Sequence, residues 1–332
     1  MSLLAKGSQA FAHRNYRLFF AGQLISLIGT WMQQVGQAWL VLEITGDPFM
    51  LGVTAAMQFL PVMILGLFGG LIADALPKRP TLIATQVIQM ALALILFGLT
   101  ATGVVEVWQI LVLAALLGIT NAVDMPTRQS FVVEMVGRQD LPNAVALNSA
   151  IFNGARIVGP AIAGLAIAAV GISVAFLLNG ISFIAVIVGY GLMRDEELGS
   201  PPVLNRPHSV RGVGRSLAEG LRYVRQADLV LLATIVVGLA GLFAMNFNVV
   251  IPALARDVLH TDAAGYGFLM AASGIGALIA ALSIAFSGRA RPALIAGGAL
   301  LLGVAEIGAA AVQAFPLALL AMGFMGFGAI AM

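Results

Sequence analysis

Long apolar runs, cut by short polar ones, make up almost the whole chain. A membrane-crossing helix needs about 20 apolar residues at about 1.5 Å of rise each. That rule predicts spans near 18–42, 51–73, 80–102, 107–125, 143–169, 173–193, 228–251, 266–286, 292–313 and 315–332. Joints such as Gly103-Val104-Val105-Glu106 and Val170-Gly171-Ile172 are so short that the helices flanking them must form antiparallel hairpins. The predicted fold class is an all-α, polytopic membrane protein.

Polar residues inside the runs carry most of the remaining information. On the first span Gln23, Ser26, Thr30, Gln33 and Gln37 recur at spacings of 3, 4, 3 and 4. This places them on one stripe about 21 Å long, and Gln34 widens it. Polar groups in lipid are costly and face a cavity or another helix. The stripe therefore reads as the wall of a water-filled path, with helix packing as the alternative. Gln58, Asn121, Asn153 and Asn246 are further candidates for the same cavity. Arg156 falls about 13 residues into the fifth span, close to mid-membrane. It could take an anionic substrate group, pair with a buried carboxylate or bond to helix carbonyls. Glu306, in the middle of the ninth span, is a candidate proton carrier.

Composition explains why these exceptions matter. Hydrophobic residues are 60% of the chain and charged ones 10%, with a mean hydropathy of +1.00. A water-soluble surface needs more polar side chains than that, and the 38 glycines suit membrane helices. With no cysteine, disulfides and thiolate metal sites are excluded. The N-terminal MSLLAKGSQAFAHRNYRLFF leads into an apolar run too long for a secretory signal, so it predicts an uncleaved span.

Charge sets the orientation. With the N-terminus in the cytoplasm, Lys6, Arg14, Arg17, Lys78, Arg79, Arg128, Arg138, the six arginines from Arg194 to Arg225, Arg289 and Arg291 all lie inside. Those are 15 of the 17 basic residues; Arg256 falls outside and Arg156 within a span. The segment 194–227 opens as a polar, proline-bearing linker. It closes on VGRSLAEGLRYVRQA, where Leu217, Leu221 and Val224 share a helical face. That pattern suits a helix lying on the membrane surface, or equally a solvated spacer.

KRPTLIA (78–84) returns as ARPALIA (290–296), an offset of 212 residues that carries the first three spans onto the seventh to ninth. Two homologous six-helix halves would produce this. The predicted domains are a bundle over 1–193, the linker 194–227 with its amphipathic helix, and a bundle over 228–332 holding about four of six spans. The same offset predicts a whole protein roughly 70 to 80 residues longer.

GGLIADALPKRPTLIA (69–84), between the second and third spans, resembles the loop motif of the major facilitator superfamily through Gly70, Asp74, Lys78 and Arg79. Ala75 and Pro77 depart from that pattern, and Phe286 stands at the place of Asp74 in the repeat. The resemblance implies the major facilitator fold of two pseudo-symmetric helical bundles. It also implies that Asp74 latches them on the cytoplasmic side against the family's eleventh helix, with Lys78 and Arg79 facing lipid headgroups. The alternative is a charge cluster that only sets topology. Asp124 and Arg128, spaced i, i+4 at the inner end of the fourth span, are expected to join the same gate.

NGARIVGPAIAGLAI resembles the family's fifth-span antiporter motif through Gly154, Gly159, Pro160 and Gly164, although Ala163 replaces one of the usual paired glycines. The motif is associated with exporters; generic helix packing is the alternative. Ala155, Gly159 and Ala163 form a small-residue ridge whose expected partner is Ala272, Gly276 and Ala280 on the eighth span. DMPTRQSFVVEMVGRQDLPNAVALNSA, with Phe11 to Phe20, is similar to the bacterial subfamily of the enterobactin exporter and transmembrane secretion effectors.

No Gly-x4-Gly-Lys-Ser/Thr loop is present, so ATP is not an expected partner. His13, His208 and His260 lie outside the spans, which removes an intramembrane Ser–His dyad, and no paired intramembrane aspartates occur. The chain is not expected to be an enzyme, to carry a cofactor or metal, or to bind nucleic acid. The predicted function is secondary active transport in the bacterial cytoplasmic membrane by alternating access. The cargo would be a small amphipathic molecule, drug- or siderophore-like, exported against proton entry. A lipid-handling carrier or scramblase and a non-transporting membrane scaffold are the alternatives.

Overall fold

The computed structural model describes the backbone of residues 9–199, 222–243, 246–287 and 292–332. The side chains of 67–75 lie outside the described residues, and so do Leu217, Leu221 and Phe286. The expectations for Gly70 and Asp74 fall there.

A 3-10 turn (Gln9–Ala12) leads into α1 (Arg14–Thr45), α2 (Phe49–Ala75), α3 (Lys78–Ala101), α4 (Val107–Val170) and α5 (Ser173–Gly191). Then come α6 (Asp228–Phe243), α7 (Phe247–Ala253), a π-helical turn (Leu254–Val258), α8 (Ala263–Ser287), α9 (Pro292–Ala311) and α10 (Phe315–Ala331). Local chemistry sets the joints. Gly46, at φ 67°, closes α1 by donating its N–H to the Leu42 carbonyl at 2.9 Å, a conformation that suits glycine. Asp47 Oδ1 accepts the Phe49 N–H at 2.9 Å where α2 begins. Glu106 and Gln109 form a reciprocal capping box at the start of α4.

By length and hydropathy alone, five of the described helical segments could cross a membrane: Phe49–Gly66, Lys78–Ala101, Val107–Val170, Ser173–Gly191 and Ala263–Ile284. α1 is 32 residues long, but its glutamines lower its hydropathy.

Three predicted spans take another form. The fourth and fifth were expected to flank a loop over 126–142. Instead α4 runs for 64 residues, with non-helical torsions only at Gly137 (φ 70°, ψ 175°). Between the two predicted spans Glu134 pairs with Lys78 and Asp140 with His13, so helical backbone there is compatible with its side chains. Over the predicted seventh span the described residues are α6 up to Phe243 and the chain from 246 on, where α7, which contains Pro252, passes into the π-helical turn.

The chain forms two compact units: Met1–Pro202 with Asn248–Ala271, and Val203–Phe247 with Ala272–Met332. In the first, one apolar cluster gathers Tyr16, Phe19, Leu82, Phe131, Met135 and Tyr190. A second gathers Leu40, Leu42, Leu51, Leu96, Ile110 and Phe176. Between α1 and α5 runs a glycine seam. Gly22, Gly29 and Gly36 repeat every seven residues. A Cβ would come within 3.0 Å of Val186 Cα at Gly22, within 2.8 Å of Asn179 Oδ1 at Gly29 and within 3.0 Å of Ala175 Cβ at Gly36. Small residues let membrane helices approach this closely.

The segment Asn248–Ala271 belongs to the first unit through close contacts. A Cβ on Gly164 would lie 2.9 Å from Ala264 Cα. Trp39 and Tyr266 stack at 6.1 Å between centroids, and Arg256 Nη1 donates to the Leu42 carbonyl at 2.8 Å. In the second unit Gly276 packs on Gly323 of α10, and Gly326 packs on Ser273. Gly159 lies on Trp31 and Ile28 of α1, while Gly276 meets glycine on α10, where the missing Cβ atoms allow the closest approach.

Gly29→Leu should destabilise the protein by about 1–3 kcal/mol through overpacking of the seam. Gly98→Ala, with nothing within 4 Å of its Cβ position, should be neutral. Thermal unfolding in detergent reads both; equal midpoints for the two variants would refute the seam.

Candidate functional site

Asp124, on α4, is 1% exposed. A carboxylate at that depth is destabilising unless it is paired and hydrogen-bonded. Its Oδ1 accepts from Thr85 Oγ1 at 2.8 Å and from Gln86 Nε2 at 2.9 Å, both on α3. Its Oδ2 pairs with Arg128 Nη2 at 3.2 Å, one turn further along α4. Arg128 Nη1 in turn donates to Gln23 Oε1 on α1 at 2.7 Å. Three helices are thus joined through one ion pair, beside the buried Tyr190 of α5. Nearby, Gln89 Nε2 donates to Asn121 Oδ1 at 3.1 Å. Thr85, Gln86 and Gln89 escaped the sequence reading, although three polar residues at i, i+1 and i+4 in an apolar helix were a usable signal.

Lys78 and Arg79 do not project toward headgroups as the sequence suggested. Lys78 pairs with Glu134, and the two side chains are 9% and 10% exposed. Arg79 donates to the Tyr190 and Gly191 carbonyls at 2.7 and 2.8 Å and to Asp195 Oδ1 at 2.6 Å. The C-terminus of α5 carries unpaired carbonyls and the negative end of the helix dipole, which attracts this cation inward. Both pairs border an open cavity of about 860 Å³, with Phe131 and Leu198 among its lining residues. The same end is braced by Asn15, which exchanges hydrogen bonds with the Arg194 backbone.

The polar stripe of α1 divides. Gln23, Gln33 and Gln37 are buried, and Gln33 Oε1 accepts from Asn179 Nδ2 of α5 at 2.6 Å. Thr30 donates to the Ser26 carbonyl at 2.9 Å. For Gln23 and Gln33 the expectation of a water-lined wall is corrected: their side chains join α1 to α4 and α5. Gln34 and Gln58 are half-buried. Asn153, also half-buried, donates to the Ser149 carbonyl at 2.8 Å. Asn246 is exposed.

Arg156 lies on the second arm of α4, its guanidinium carbon 5.9 Å from the centroid of the Trp31 ring. Trp31 meets Phe152 edge-on at 5.7 Å and 65°. Gly159 makes room for this ring, since a Cβ there would fall 2.5 Å from Trp31 Cβ. Sequence reasoning had found no aromatic role for Arg156, because contact across helices is invisible in one span. Glu306 is half-buried on α9 in the second unit.

Residues 6–331 match the family described as transmembrane secretion effector, a branch of the major facilitator transporters. The chain belongs to that family. The transporter is 28% identical over 301 residues to the multidrug efflux pump Tap of Mycolicibacterium fortuitum, covering 87% of the chain and 71% of the pump. It is 26% identical over 177 residues to the staphyloferrin A transporter of Staphylococcus aureus, covering 52% of the chain. That alignment spans 44% of the relative, less than half its length. A solved bacterial homolog of the human lysosomal transporter Spinster, inward-facing and unoccupied, shares the fold with a TM-score of 0.71 at 11% identity. The alignment covers 96% of this chain and 73% of that one. The protein is accordingly a multi-pass membrane transporter of major facilitator fold and not an enzyme.

Asp124→Asn leaves Arg128 without its counter-charge and should destabilise the transporter by about 3–5 kcal/mol. Asp124→Asn combined with Arg128→Gln should recover part of that loss. With Arg128→Gln alone as the third variant, the unfolding midpoints complete a double-mutant cycle, and additive effects would show that the pair does not bind the helices together.

Proposed function

We propose that this transporter is a proton-driven exporter of a small amphipathic molecule, working by alternating access in the bacterial cytoplasmic membrane with its N-terminus inside. The reading rests chiefly on one observation: a single stretch of α4 carries two close glycine joints. Gly159 seats Trp31 of α1, and Gly164 seats Ala264 at the start of α8. Joints without Cβ atoms let packed helices slide with little repacking, which is what a rocking transporter needs. Kinship with a multidrug efflux pump supports the outward direction.

In this scheme a bundle over 1–193 and another over 228–332 are linked by 194–227. Gly70, Asp74, Lys78, Arg79, Asp124 and Arg128 form the cytoplasmic gate, stiffened by the pairs of Lys78 with Glu134 and of Asp124 with Arg128. Gly154, Gly159, Pro160 and Gly164 form the export-type motif. Thr30, Gln34, Gln37 and Arg156 contribute to the substrate path, and Glu306 carries the proton. The cargo is drug- or siderophore-like, and no ATP is consumed.

Inverted vesicles holding the whole protein should accumulate at least one of a set of cationic, neutral and anionic fluorescent amphiphiles when their interior is acidic. A protonophore should abolish this uptake. Glu306→Gln should lose the dependence on the pH gradient while keeping downhill movement. Uptake indifferent to the protonophore would overturn proton-driven export, and a Glu306→Gln variant that still follows the gradient would remove Glu306 from it.

A further inference from the structure

Val145, Ser149, Phe152 and Arg156 recur on α4 at spacings of 4, 3 and 4, so they share one helical face. Ser149 is exposed, Phe152 is 47% exposed and Arg156 half-buried. A guanidinium near mid-membrane does not face hydrocarbon. Val145 is 52% exposed on the same face, so this face is open in the structure, and a half-buried guanidinium on it favours polar or anionic company over hydrocarbon. Trp31, half-buried on α1, completes the group. The Arg156 guanidinium is 5.9 Å from the Trp31 ring centre, and Trp31 meets Phe152 at 5.7 Å. Gly159 holds this geometry open, because any side chain there would push Trp31 away.

A cation braced against one aromatic ring, with a second ring edge-on beside it, has a defined chemical preference. The guanidinium presents a planar fork of N–H donors that matches a carboxylate in bidentate fashion. The two rings offer an apolar wall on which a flat hydrophobic body can lie. The same charge repels a cationic ligand. We propose that Trp31, Phe152 and Arg156 form a binding subsite for an aromatic carboxylate, the carboxylate on Arg156 and the ring system against Trp31 and Phe152. This narrows the cargo class and rests on the export reading for its biological sense, but the subsite itself can be tested by binding alone.

The test uses the full chain in lipid nanodiscs with two radiolabelled probes of matched shape, 2-naphthoate and the uncharged 2-naphthamide. Naphthoate should bind saturably and more tightly than naphthamide. Arg156→Gln should weaken naphthoate by about tenfold or more, the loss expected for a charge-assisted contact, and weaken naphthamide much less. Arg156→Lys should fall between, and Trp31→Leu should weaken both probes. Equal affinity of the unaltered protein for the two probes would overturn the proposal, as would an equal effect of Arg156→Gln on both. If Arg156→Gln fails to fold, the probe preference of the unaltered protein and the effect of Trp31→Leu still decide. Binding through Arg156 without gradient-driven uptake in vesicles would retain the subsite and refute export. Export without a carboxylate preference would do the reverse.

Discussion

A charge taken out of water inside a bundle of apolar helices must find its partner within the protein, and the first unit is organised around that requirement. Asp124 meets it with Thr85 and Gln86 on α3 and with Arg128 on its own helix, and Arg128 meets it with Gln23 on α1. Removing one member leaves another buried and uncompensated, so the group acts as a single unit. The hydrocarbon supplies no competing hydrogen bonds. The positions of three helices relative to one another therefore follow from a few side-chain atoms.

Close backbone approach is the second device, and it follows from the first. Polar groups can meet across helices only where the helices lie near each other. The seam of Gly22, Gly29 and Gly36 brings α1 onto α5, close enough for Asn179 to reach Gln33. Gly118 brings α4 onto the Gln58 carbonyl of α2 in the same manner. Hydrophobic burial contributes little to such association in lipid, so van der Waals contact along these seams and the hydrogen bonds they permit carry it.

The end of the first unit where α3 begins and α5 stops is built differently, largely from charges near helix termini. Arg79 closes α5 through two carbonyls and Asp195, Lys78 pairs with Glu134, and His13 with Asp140. Short-range pairs of this kind hold the loop between α2 and α3 to the end of α5. That end is thereby tied together by ion pairs and carbonyl contacts, whereas further along α4 the close contacts are made at glycines.

Much of this was legible in the residues alone. Apolar runs of membrane length, the hairpin joints, and the motifs around Lys78 and Gly159 determined an all-helical major facilitator transporter, because length, periodicity and backbone-specific residues act locally. The i, i+4 spacing of Asp124 and Arg128 also announced their pair. Tertiary structure alone decided the rest. It turned Gln23 and Gln33 from an expected water-lined wall into ties between helices, and it carried α4 through the expected loop to Gly137. It also set Trp31 beside Arg156 and brought Gly276 to α10. Each of these outcomes depends on which residue of a distant helix arrives opposite a given side chain. A one-dimensional pattern shows which face of a helix is polar or small, but the partner of that face exists only once the helices have packed.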